Sequence, residues 1–454
     1  MYSHAPALTE SPTPSSGLNQ FIRWIGPITL VAIIFTDFVR IMVPQQPVVL
    51  SLAPLILCTF GSLGALGSGL LKAMAPTLKA SIAALVALCV YGSLVSALRG
   101  IPGPQTAAGW LVYAGALPAI LVGFAIAQVP PAERLLGKWL IALLVFSIAI
   151  AFMQQFGFLT MASALEDVPM DRGVKSLGIN FVYTSGPFRT PSVFSAFLAT
   201  SMAMVLRCYG YRLGTDARSQ PVWITLLLLG SVAASILAAR RSGLAMLAAV
   251  AAAYLLLSAR KQAFKILAIV ALGALTIPIL MTASDIDHQI EVGAKFQHTV
   301  VETQASRRLG NAFHMEPRDL RLLSVTGDGL GSHGPAVRAG GLAARAKEDL
   351  LLNASPVIHF GWFKDLISFG PLGLILHLFY FFALFRSVTP RRRYSEQPFQ
   401  SSVRLCGTAL AAAAILVYFF VATSWLDGLT GGLMFGLTMG MYSGHLTLRP
   451  HHDS

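Results

Sequence analysis

Charge is what this sequence has least of. Only 12% of its 454 residues are Asp, Glu, Lys or Arg, about half the share carried by a soluble domain. That scarcity excludes an ordinary water-soluble enzyme. Acids are rarer than bases, 20 against 33, for a formal charge of +13. In a soluble chain such an excess would point to nucleic acid. Here loops placed against a membrane account for it, and nucleic acid is not an expected partner. The four cysteines, Cys58, Cys89, Cys208 and Cys406, fall inside apolar runs with no framework spacing. Neither a disulfide set nor a metal site follows. HExxH, paired CxxC and Walker sequences are missing, and the ten histidines show no metal-ligand spacing. No metal or nucleotide cofactor is therefore expected. Asp37 is the one acid read as lying well inside a span, three residues from Arg40 as in a local ion pair. A proton or ion pump would carry more.

What the chain has is apolar sequence, 55% of its residues, in runs of the roughly 20 residues that cross a bilayer core of about 30 Å. The fold class this predicts is an all-α polytopic membrane protein with about twelve transmembrane helices. The runs are 24–43, 48–71, 78–98, 106–127, 137–156, 190–209, 221–239, 242–258, 264–283, 366–385, 404–425 and 428–448. Residues 1–22, opening MYSHAPALTESPTPSSGLNQ, are rich in Pro and Ser and read as a disordered cytoplasmic tail. Residues 23–454 read as one membrane domain with a retained first helix.

Orientation follows from Lys and Arg. With a cytoplasmic N-terminus, seventeen basic residues fall in inner segments, and the short outer connections hold four: Arg40, Arg99, Arg240 and Arg241. Both termini are then inside. Two long segments, 157–189 and 284–365, fall outside, and loops of that length tend to be functional. Within the second, DIDHQIEVGAKFQHTVVETQ from Asp285 is patterned as an amphipathic surface helix.

The exceptions to that charge pattern carry information. In ILAARRSGLAML, Arg240 and Arg241 stand between two apolar runs with no acid within about twenty residues. A snorkelling pair at an interface is the plain alternative. Guanidinium groups at a membrane boundary also suit a multidentate anion such as phosphate. Arg189, in TSGPFRTPSVFSAFLA, and His359, in SPVIHFGWFKDLISFGPLG, fall at the same expected depth and face. A lone histidine is more often structural, but His is also the side chain that moves protons near neutral pH. GLGSHG, Gly329 to Gly334, matches the dinucleotide glycine pattern, yet sits in an outer loop without a strand–turn–helix context.

These motifs resemble the O-antigen ligase and polysaccharide polymerase superfamily, integral membrane glycosyltransferases of the GT-C type. ARRSGLAML is similar to the family's Ser-Arg-Ser/Gly-x-Leu stretch, which maps its arginine onto Arg241, with Arg240 where serine is common. FRTPSVFSAFL resembles Arg-x-x-Gly-x-Phe, mapping to Arg189 with Ser192 in place of glycine. HFGWFKDLISFGPLG resembles His-Asn-x-x-Leu…Glu-x-Gly-x-x-Gly at His359, Gly370 and Gly373, with Phe360 replacing Asn and Ser368 replacing Glu. GDGLGSHG, from Gly327, looks like the glycine-rich turn that precedes that motif. The likeness covers roughly 180–385.

The resemblance implies a GT-C-like fold with a large helical outer loop, in a bacterial cytoplasmic membrane with the active site on its outer face. It implies a donor glycan on a polyprenyl diphosphate, a glycan acceptor and surrounding lipid. Diphosphate is a good leaving group, so arginines can stabilise it without a metal. Arg241, Arg189 and Arg240 are then the diphosphate-binding candidates and His359 the base or acceptor positioner. Lys364 is in reserve should the histidine's role have moved. The expected reaction is inverting polymerisation of repeat units of a surface polysaccharide or exopolysaccharide. A chain-length regulator or export complex is a further possible partner. The alternative within the class is a ligase that moves a finished glycan to a lipid A-core acceptor. Outside it stand a lipid or sugar transporter, which should show paired broken helices, and a noncatalytic export scaffold.

Overall fold

The computed structural model describes residues 16–42, 48–156, 158–159, 184–188, 190–215, 222–257, 324–333, 337, 360–389, 398–420 and 429–444. Its helices are α1 (Ser16–Met42), α2 (Val48–Gly67), α3 (Pro76–Leu98), α4 (Gly103–Ala114), α5 (Ala116–Ala127) and α6 (Pro130–Gln155). They continue with α7 (Pro191–Thr215), α8 (Val222–Leu237), α9 (Arg241–Leu257), α10 (Gly361–Val388), α11 (Pro398–Phe420) and α12 (Leu429–Ser443). No strand occurs among the described residues. Proline opens α3, α6, α7 and α11, where its missing N–H costs nothing and its fixed φ suits the first turn. A bilayer permits little else, since helices satisfy their own backbone groups. The chain is an all-helical polytopic membrane protein.

The span count differs from the expected twelve. Among the described residues, six helices are long and apolar enough to cross a membrane: Asn19–Val39, Pro76–Leu98, Gly103–Ala127, Pro130–Gln155, Pro191–Tyr209 and Gly361–Val388. The third joins α4 and α5 through Gly115. Over the residues whose side chains are described, the apolar stretches of α2, α8, α9 and α11 are shorter: Leu52–Gly67, Val222–Leu237, Ser242–Tyr254 and Arg404–Phe420. The run 264–283 and the patterned stretch from Asp285 lie outside the described residues. So do most of the loops 157–189 and 284–365, and residues 1–15 of the expected tail. Helix α1 begins at Ser16, inside that tail.

Helix α7 is the hub, with 94% of its apolar window buried. On its flank α5 and α12 run side by side in the same direction. Gly436 meets the Ala116 carbonyl and Gly440 the Ile120 carbonyl, four residues on in both helices. Small residues four apart let the backbones touch. Gly440→Ala is expected to lower stability by roughly 1–3 kcal/mol through overpacking. Gly67→Ala, where the new methyl meets open space, is the matched control. Thermal unfolding in detergent measures both.

Side-chain contacts also set which helix ends share a level. Tyr442 of α12 donates to the Ala203 carbonyl at 2.7 Å and its ring covers Gly407 of α11. Twelve residues before Ala203 is Pro191, and twelve after Gly407 is Phe419, about 18 Å in each case. The start of α7 and the end of α11 are therefore level, at the opposite end from Tyr442. At the Tyr442 end Arg207 and Glu133 pair at 3.1 Å, and Arg207 lies over the Tyr442 ring. Ser387 and Ser443 are hydrogen-bonded there at 2.8 Å.

Candidate functional site

The opposite end of the bundle gathers the motif segments. Helix α10 is broken in its middle: Gly370 has φ 65° and ψ −174°, followed by Pro371. That φ suits glycine and strains other residues. Proline has no N–H, so the Ile367 carbonyl four residues back loses its helical donor. The glycine-rich segment Ser324–His333 replaces what the break removes. Asp328 N–H donates to the Ile367 carbonyl at 2.9 Å, and Gly329 N–H donates to the Ser368 carbonyl at 2.7 Å. This loop therefore caps the half-helix Gly361–Phe369, as buried carbonyls require.

Helices α3 and α4 hold the loop's other side. Leu330 N–H donates to the Gly92 carbonyl at 3.0 Å, and Gln105 Nε2 to the Gly331 carbonyl at 2.8 Å. Arg99 donates to the Gly327 carbonyl and to the Ser324 and Thr326 hydroxyls, each at 3.3 Å. Gly327, Gly329 and Gly331 all have positive φ. A methyl on Gly329 would strike Ser96, and one on Gly327 the Ser368 carbonyl. The stretch Gly327–Gly331 is thus a backbone clasp between helices. Arg99, counted only as an outer exception, is one of its fasteners.

The break also creates two Asp–His pairs. His377 Nδ1 donates to Asp365 Oδ2 at 2.7 Å, and Tyr418 of α11 donates to Asp365 Oδ1 at 3.1 Å. In an unbroken helix, residues twelve apart lie about 18 Å apart along the axis. The Asp365 arm must therefore fold back towards the His377 arm. Both side chains are dry, 0% and 4% exposed. The rings of Tyr113, Tyr380, Phe381, Tyr418 and Phe419 surround His377 at 4.8–6.2 Å. The second pair is in the loop: His333 Nε2 donates to Asp328 Oδ2 at 3.2 Å. Here the histidine is 4% exposed and the aspartate 35%.

The arginine segments stand at the same end. Gly243 of α9 packs against Ser195 of α7, joining the starts of the two helices. Gln154, at the end of α6, accepts from Ser185 and Gly186 N–H and donates to the Gly186 carbonyl. Phe188 is buried against Phe194 and Phe197. The residues on both sides of position 189 are thereby anchored, Thr190 taking the Val193 N–H at its hydroxyl. Arg189 and His359 themselves lie outside the described residues. Arg240 is half-buried and its carbonyl accepts the Leu244 N–H, so it caps α9. Arg241 is the first residue of α9. Ala239, just before them, has φ 51°, the one positive value outside glycine among the described residues. Such strain clusters at functional sites.

Sequence reading missed several of these groups. Asp365 is fully buried beside the reserve candidate Lys364, itself buried at 4% exposure. Phe360 and Ser368, where the resembling motif has Asn and Glu, are buried too. Asp37 is hydrogen-bonded by Thr430 at 3.2 Å, and the side chain of its expected partner Arg40 lies outside the described residues. Asp37 is also not alone: Glu133 and Asp365 are acids within membrane-length helices. His377 carried the one legible signal, a polar ring inside an apolar run. Among the described residues no group of three His, Cys, Asp or Glu side chains converges as metal ligands do. No protein-family model and no curated protein matches the chain, so its chemistry has to be read from these side chains.

Proposed function

We propose that this protein is a glycosyltransferase of the cytoplasmic membrane that polymerises polyprenyl-diphosphate-linked repeat units at the outer face. The observation that carries the reading is the arginine pair at the head of α9. No acid occupies the first turn of that helix, and its start packs on the start of α7. Helix N-termini are positive, so a helix start that also carries two arginines is a cationic end suited to an anion. A diphosphate answers both, and its departure from an anomeric carbon is what such a site would stabilise. Arg189, two residues before α7, would complete the grip. His359 precedes the half-helix whose Asp365 meets Tyr418, level with those starts.

The reading requires this end to face outward. Cysteines introduced singly in 284–360 are then expected to react with an impermeant maleimide on intact inner-membrane vesicles of known sidedness only from the outer face. Labelling from the cytoplasmic face overturns the reading. Activity is tested by the lipid-linked intermediate that accumulates on deletion. A single repeat unit on lipid is expected. A finished polymer on lipid would mean a ligase, and normal polymer a protein outside this chemistry.

A further inference from the structure

Helix α1 carries a groove on the face it does not use for packing. Ile22, Thr29, Leu30 and Ile33 are buried on its inner side. Phe21, Trp24 and Ile28 lie on the other and stay 39–45% exposed, a single face at helical spacing. The groove has a volume of about 310 Å³ and is lined by Gly17, Gln20, Phe21, Trp24, Ile25 and Ile28. Three glycines shape it. Ile25 lies 2.8 Å from where a Cβ on Gly61 of α2 would stand, and the Phe21 ring edge 2.7 Å from one on Gly64. Both side chains are thereby seated on α2. Gly17 leaves the near end open, with nothing within 4 Å of its missing side chain.

Length and position fit one lipid tail. From Gly17 to Ile28 the helix rises about 16 Å, half of a bilayer core of roughly 30 Å. The membrane-length stretch begins at Asn19, so the groove runs from the membrane surface to about the middle of the bilayer. Near the surface end stand Gln20 and Arg23, both exposed and, three apart, neighbours on the helix. Long side chains lean towards the start of their helix, which takes the Arg23 guanidinium out to the headgroups. Among the described residues no acid pairs with it. Trp24, beside it, is the residue type that settles at that interface. We propose that this groove binds an anionic phospholipid, with one acyl chain along Phe21, Trp24 and Ile28 and the phosphate on Arg23. Charge selects the occupant: a zwitterionic lipid offers the same tail without net charge, and a second copy of the chain would bring another Arg23 to the same face. The inference stands apart from the glycosyltransferase reading and needs only that α1 crosses the membrane.

The test titrates the full chain, purified in a neutral detergent, with phosphatidylglycerol and counts bound lipid by native mass spectrometry. One lipid per chain is expected to stay bound. Phosphatidylcholine with the same tails should bind about fivefold more weakly, the weight of one basic side chain at an anionic surface. Glycerol 3-phosphate, which has the anion and no tail, should not bind. Arg23→Gln should erase the preference between the two phospholipids. Gly17→Phe, placed where a side chain meets open space, should fill the groove and remove both lipids, with the unfolding temperature unchanged. Phosphatidylglycerol brominated along its tail gives a second reading: it should quench the fluorescence component that Trp24→Phe removes. Equal binding of the two phospholipids, or binding unchanged by Arg23→Gln and Gly17→Phe, means annular lipid only and overturns the proposal. So does quenching that is the same with and without Trp24. A dimer that excludes phosphatidylglycerol overturns it too, by assigning the face to a second copy.

Discussion

Asp365→Ala is expected to cost roughly 2–5 kcal/mol of stability, the range for removing one member of a buried, hydrogen-bonded polar group. The carboxylate is fully buried and accepts from two helices' worth of donors, His377 at 2.7 Å and Tyr418 at 3.1 Å. Removing it takes a shared acceptor from two buried donors, and a buried donor that loses its acceptor is costly. The consequence is local first. The Asp365 arm of α10 loses its tie to the His377 arm and is left to its packing and to the loop's bonds to Ile367 and Ser368. Asp365→Asn keeps one good acceptor and should cost less. Replacing all three groups together, Asp365→Leu with His377→Phe and Tyr418→Phe, should recover much of the loss, since an apolar substitute leaves nothing unpaired. Unfolding in detergent, followed by denaturant titration, measures the series. A single Asp365→Ala variant within 1 kcal/mol of wild type would show that packing and the loop alone fix the half-helix.

That expectation also marks where sequence reading stops. The polytopic helical class was legible because apolar runs and sparse charge are one-dimensional properties. The motif segments were legible for a similar reason, as arginines and glycines in the wrong places for a bilayer. Asp365 and His377 were not, because spacing rules treat α10 as continuous and place the two about three turns apart. Gly370 and Pro371 are visible in the sequence, and a break there could be read. The direction in which the arm folds is decided by Tyr418 and by the loop, more than fifty and nearly forty residues away. Asp328 was hidden by its own surroundings. In a glycine-rich segment it reads as turn chemistry, and only the carbonyls orphaned by Pro371 explain why that turn is clamped.

The arginine pair gives the second large effect, and the two residues should separate. Arg241→Ala is expected to slow glycan transfer by about 10²–10³-fold, some 3–4 kcal/mol of transition-state stabilisation, as for other preorganised groups at a developing anion. Arg240→Ala should cost less than tenfold, because its position is that of the helix cap, with its carbonyl already bonded to Leu244. Arg241→Lys should recover only part of the rate, since a point charge cannot replace a planar fork on phosphate oxygens. The unliganded protein supplies an independent reading. A cation in the first turn of α9 opposes the helix dipole by about 0.3–1 kcal/mol. Arg241→Ala should therefore unfold slightly later than wild type in the absence of ligand. Inorganic diphosphate should reverse the order, raising the unfolding temperature of the wild type and not of the variant, because only the state that binds is stabilised. A structural arginine would give the opposite pattern: lower stability on removal, and no difference in the response to diphosphate. Full transfer by the Arg241→Ala, Arg189→Ala double variant would end the diphosphate assignment, whatever the stability data show.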